Sequence, residues 1–297
     1  MKNPPPILAA VDFSSSSPQV LAHAAKLAGG TGRELIAVHV VSDSRLRDWE
    51  ETMGSEAATA EWVMEATRRL GKLADESCDG APVGITVRIG KPYRVIRDIV
   101  KELGADLVVL GAHDVSRRRL GPVAAHCARS IPADVLILRD WQGPRVRRVA
   151  ACVDFSLSSA AGLGRAIDFA KIHQASLEII HVIFPPTRDP WGRTLEQRAD
   201  DAVRYETIVT ERAHNRMAAF LEPFRDRLAD LDYSTTFLQG ESPAAAITAH
   251  IEAQNIDLTV MGSHAGSWVE DFVLGGNAER LMHDSASSVL IARARTS

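Results

Sequence analysis

The chain says much of itself twice, and that duplication limits its fold more than any other feature. ILAAVDFS at 7–14 returns as VAACVDFS at 149–156, and LAGGTGRELIAVHVV at 27–41 returns as FAKIHQASLEIIHVI at 169–183. Asp12 with Asp154, Ala28 with Ala170 and His39 with His181 share one spacing. RIGKPYRVIRDIVKELGADLVVLGAH at 88–113 returns as LQGESPAAAITAHIEAQNIDLTVMGSH at 238–264, and ADVLILR at 133–139 as SSVLIAR at 287–293. The spacing grows only inside loops, as in a duplicated unit with local insertions. With 297 residues, two copies of ordinary domain size fill the chain. The expected domains are 1–143 and 144–297, with the seam in the basic, Pro-containing stretch DWQGPRVRR at 140–148.

Each copy alternates short β-branched runs with longer helical patterns, which predicts an α/β fold, a doubly wound parallel sheet in each of two tandem domains. In the first copy the strands are expected at 7–11, 34–41, 83–89, 106–111 and 134–138. Their nearly continuous apolar character fits strands covered on both faces. Ser17-Pro18 and Ser242-Pro243 each set a capping hydroxyl before a proline suited to the first helical position. The segments 46–76 and 195–230 read as amphipathic helices, the second broken near Pro223.

Composition narrows the function classes. A formal charge of −4 gives no bias toward nucleic acid or anionic membrane. The start MKNPPPILAAVDF has no secretory apolar segment, and no run approaches a membrane span. Cys78, Cys127 and Cys152 lack metal or disulfide spacing and read as reduced, packed thiols, so the expected location is cytoplasmic.

In open parallel sheets, ligands sit beyond the carboxyl ends of the strands, where strand order reverses. The residues there are Asp12 and Asp154, Val41 and Ile183, and the loops after Gly111 and Gly262. VDFS, VHV and GSHAG…LGGNAERL…VLIAR together resemble the universal stress proteins, and the duplication points to the tandem, two-domain kind. The resemblance spans roughly 5–140 and 146–294.

It implies a nucleotide pocket in the ATP-binding members: Gly, two residues, Gly, nine residues, then Gly and Ser or Thr. An acidic residue and main chain hold the adenosine there, and backbone N–H groups at a helix start hold the phosphates. The second copy nearly matches. Gly262 and Gly275 fit the first and third glycines, and Ala265 replaces the second beside Gly266. Gly276 keeps the backbone donor, Asn277 offers a side-chain donor, and Glu270 and Asp271 oppose a phosphate unless they face solvent. The expected nucleotide site is therefore Asp154, Ile183, Gly262, His264, Gly275, Gly276 and Asn277, with ATP as the ligand and the second domain alone as its place. In the first copy Asp114 takes the second glycine position, the loop is shorter, and Pro122 has no N–H to give. ATP is not expected there.

Every motif has a plainer reading. Asp12 and Asp154 can serve as caps of the turn that follows the strand. His39 and His181 lie in apolar strands, as packed, hydrogen-bonded imidazoles. His113 and His264 are better placed for chemistry but have no metal-ligand partners in sequence. Arg117, Arg118 and Arg119 read either as a solvated loop or as a seat for a small anion or an acidic partner. Trp49, Trp62 and Trp191 read either as core cover or as partner contacts.

DFSSSSP and DFSLSSA lack the S-G-G-x-D-S loop of related ATP pyrophosphatases, and no Walker, dinucleotide or nucleophile-elbow motif occurs. The resulting reading is a non-catalytic stress-response regulator. The alternatives are an interaction scaffold without nucleotide and a slow ATPase. The resemblance also implies that the final strands, 134–138 and 288–292, meet around a pseudo-two-fold axis, in a monomer or a dimer of tandems.

Overall fold

Runs such as ILAAV, LVVLG and DVLIL carry apolar side chains at successive positions, so both faces of each strand must be covered. The computed structural model describes residues 4–53, 58–114, 119–139, 146–183, 199–240, 242–263 and 276–294. It separates into two units.

The first unit contains β1 (Ile7–Val11), α1 (Ser17–Thr31), β2 (Leu35–Ser42), α2 (Asp43–Met53), α3 (Ala58–Ser77), β3 (Val83–Gly90), α4 (Pro92–Leu103), β4 (Leu107–Gly111), β5 (His113–Asp114), β6 (Arg119–Leu120), α5 (Pro122–Ser130) and β7 (Asp134–Leu138). The second contains β8 (Arg148–Cys152), α6 (Leu157–His173), β9 (Ser176–Ile183), α7 (Ala199–Leu221), a 3-10 turn at Glu222–Phe224, α8 (Arg225–Leu228), β10 (Tyr233–Gln239), α9 (Pro243–Gln254), β11 (Leu258–Ser263) and α10 (Gly276–Asp284). The last strand, β12 (Ser288–Arg293), belongs to the first unit.

In the first unit the strand order is β12-β7-β4-β1-β2-β3. All neighbours are parallel except β12, which runs antiparallel to β7 with Leu290 opposite Leu136. The pairing of the two final strands is thus the one the resemblance implied. In the second unit the order is β10-β9-β8-β11, all parallel. The order reverses beside β1 and beside β8, and each first strand therefore ends at a crevice. Buried Ile7, Leu8, Ile99, Ile131 and Leu136 build the first core, and Leu163, Ile167, Leu177 and Ile251 the second.

Helix ends follow local chemistry, with one departure. Ser242 caps α9 by accepting from the Ala245 N–H, as its sequence predicts. Gly32 ends α1 in the left-handed region, which favours glycine at a helix stop. Ser17, however, is not a cap. Ser16 precedes the helix, and the buried Ser17 hydroxyl instead donates to Asp12. The segment 46–76 falls in two helices, α2 and α3, and the break near Pro223 is the 3-10 turn between α7 and α8.

Candidate functional site

Each first strand ends in the same turn. Asp12 Oδ1 accepts from the Ser14 N–H at 2.9 Å, and Asp154 Oδ1 accepts from the Ser156 N–H at 2.9 Å. This is the turn-capping role expected of an Asp here. Between Asp and Ser stands a phenylalanine in the left-handed region, Phe13 at φ 63° and Phe155 at φ 65°. A side chain there costs about 1–2 kcal/mol.

What offsets that cost is a stack, built twice. Phe13 lies 4.2 Å from the His39 ring, and the Arg69 guanidinium sits 4.5 Å from the Phe13 centroid. Phe155 lies 4.2 Å from the His181 ring with Arg216 at 4.6 Å. Each histidine donates from Nδ1 to a carbonyl of the first strand, His39 to Val11 and His181 to Val153, both at 2.8 Å. Both are the packed imidazoles the sequence predicts. Burial, helped by Arg216, holds His181 below the usual histidine range, against the pull of the Val153 carbonyl. The sequence reading missed Phe13, Phe155, Arg69 and Arg216. The signal for the two phenylalanines was present, since the D-F-S triplet occurs in both copies with an aromatic where a turn favours small residues.

The glycine at the end of the fourth strand of each unit has a packing role. A Cβ on Gly262 would lie 2.0 Å from the Ser158 carbonyl oxygen, and one on Gly162 would lie 2.9 Å from the Gly262 nitrogen. Helix α6 and strand β11 thus touch backbone to backbone. At Gly111 the neighbour is the Ser16 hydroxyl, 2.6 Å from where a Cβ would be. Close packing accounts for both glycines without a ligand.

Beyond the carboxyl ends of β1, β2 and β4 lies a cavity of about 890 Å³ in the first unit. Val11, Val38, Val41 and Leu110 form buried walls, with Trp62 and Ile96 alongside. Trp62 packs on the cluster of Val41, Leu46 and Ala66 and so covers core. The helix entering this cavity, α5, has Gly121 as its cap and Pro122 at its first position. In the second unit α10 begins at Gly276, and Gly276 and Asn277 are exposed. Ile183 is buried at the end of β9, and Asp154 is exposed. His264, Ala265, Gly266, Glu270, Asp271 and Gly275 lie outside the described residues, as do Arg117, Arg118, Trp191 and the side chains of Trp49, His113, Asp114 and Arg119.

Burial pushes the Cys127 thiol up to about 12, and burial with the Glu178 carboxylate does the same for Cys152. Neither is a thiolate near neutral pH. Among the described residues no group of three or more His, Cys, Asp or Glu is placed to hold a metal ion. None of their helices is long and apolar enough to cross a membrane.

Against known proteins, the pattern of the Universal stress protein family matches residues 5–139 and again residues 145–293. The chain belongs to the universal stress protein family. Its two domains stand in tandem, each built on the same α/β plan. A universal stress protein from Archaeoglobus fulgidus superposes at a TM-score of 0.63 with 20% identity, over 97% of this chain and 98% of that one. A functionally unknown protein from Pseudomonas aeruginosa superposes at 0.65 with 16% identity, over 97% and 92%. At such identities the likeness is one of fold. No curated protein matches this universal stress protein well enough to count as a relative.

Proposed function

We propose that this universal stress protein is a non-catalytic regulator of the stress response that holds an adenine nucleotide, ATP, in its second domain. The site is Asp154, Ile183, Gly262, His264, Gly275, Gly276 and Asn277. One observation carries the reading: α10 opens on exposed Gly276 and Asn277, whereas α5 opens on Pro122. A helix start leaves N–H groups without intrahelical partners and gathers partial positive charge, which favours phosphate. Pro122 removes one such donor from the first domain. Asp154, exposed and fixed in its turn just after β8, is the residue we assign to the sugar side, and Ile183, which ends β9, the one we assign to the base. A nucleotide bound more tightly to one conformation than another would shift the regulator between them.

The test exploits the duplication. Gly276→Pro gives the second domain the residue that the first has at Pro122, and proline is accommodated at a first helical position. Calorimetric titration with ATP should show one nucleotide per wild-type chain and an affinity loss of about tenfold or more in Gly276→Pro. Absence of heat in the wild type, or equal binding by both, would remove ATP from the account. The search would then move to the surfaces of a scaffold.

A further inference from the structure

The cavity of the first domain departs from what a nucleotide requires. Its buried walls are mostly apolar side chains, Val11, Val38, Val41 and Leu110 among them, and the buried Ser17 hydroxyl that also lines it already donates to Asp12. The charged residues that line it are exposed, so they stand at its mouth: Asp12, Glu61, Glu65 and Arg69. Three are carboxylates. The guanidinium is already stacked on Phe13, and Glu65 is paired with Arg68 at 2.7 Å. Phosphate would meet a helix start lacking one N–H and a mouth where carboxylates outnumber cations among the described residues. An apolar body would meet walls that favour it, in a volume of about 890 Å³, within the span of small-molecule sites.

We infer that the first domain binds an uncharged, phosphate-free apolar molecule carrying a hydrogen-bond donor such as an aromatic amine or a hydroxyl. The apolar body lies between Val38, Val41 and Leu110, and the donor faces the carboxylates at the mouth. This inference stands on the first domain alone and does not depend on the nucleotide reading of the second.

The probe is 1-aminoanthracene, a neutral aromatic amine whose fluorescence rises in apolar surroundings. Titrated into the full chain, it should bind and keep its affinity when ATP is added in excess. Val123→Trp, which places bulk at a half-buried wall of the cavity, should weaken binding about tenfold. Gly276→Pro should leave it unchanged, so the two readings fail separately. Hydrogen exchange on the wild-type chain locates the probe without any variant, with slowed exchange expected in Ala58–Ser77 and Pro92–Leu103. No binding, displacement by ATP, or protection confined to the second domain would each overturn the inference.

Discussion

Phe13 and Phe155 show how a strained residue is kept in place by the rings and cations around it. A glycine in the same turn would be unstrained, yet it would leave the histidine below without its aromatic cover. Both copies keep the strained aromatic, and both lay an arginine over it. Another residue effect is electrostatic. His23 is buried in α1, and burial, with Lys26 adding, pushes it down to about 4 from 6.5. The unfolded chain therefore binds that proton first as pH falls. Stability from the neutral imidazole is complete above 6.5 and is lost progressively toward 4, by about 3 kcal/mol in all. Urea unfolding at a series of pH values should show this slope in the wild type and a flatter one in His23→Leu.

At the scale of the element, the duplication provides internal controls. In the second unit Glu178 on β9 accepts from or pairs with His250 on α9 at 2.8 Å, and Thr236 on β10 donates to the same carboxylate. The corresponding places in the first unit are Ile36 and Ile99, both buried. A partly buried polar pair is often replaceable by apolar residues without loss, whereas removing one member strands the other. Glu178→Ile with His250→Ile should match or exceed the wild type in urea, and His250→Ala alone should lose about 2 kcal/mol. Much at this scale was legible. The five strands of the first copy were expected within a residue or so of where they lie, because buried parallel strands write their coverage into continuous apolar runs. The turn aspartates and strand histidines were legible from the repeat itself. Ser17 misled because Ser-Pro marks a cap only when the serine stays outside the helix, and here Ser17 lies inside its first turn with its hydroxyl on Asp12, five residues earlier. The Arg69 and Arg216 stacks were not legible, since each arginine reaches its ring from a distant helix. Nor was the contrast in the glycines' packing, where backbone meets backbone at Gly262 and side chain at Gly111.

The whole molecule depends on a strand that comes late. Arg293 on β12 donates its backbone N–H to Asp134 Oδ1 at 2.8 Å and its guanidinium to the Ala128 carbonyl, all within the first unit. At the other end of the pair, the Arg139 N–H donates to Ser288 Oγ at 3.1 Å. Burial lowers Arg293 to about 10, still a cation near neutral pH, with the Asp134 carboxylate opposing the shift. Removing a partner from a buried charge is strongly destabilising. Arg293→Met should cost about 3 kcal/mol and lower the melting temperature of the first unit on the order of 5–10 °C, as read by calorimetry.

That same strand has a consequence for how the protein is made. The first unit is drawn from 1–143 and then waits for Ser288–Arg293, which a ribosome delivers only after the whole second core has been translated. Until then β7 presents an unpaired apolar edge, DVLIL, to whatever other chain is near. Nascent chains stalled between these points should be the ones that need chaperone protection, and release of the final strand should end that need.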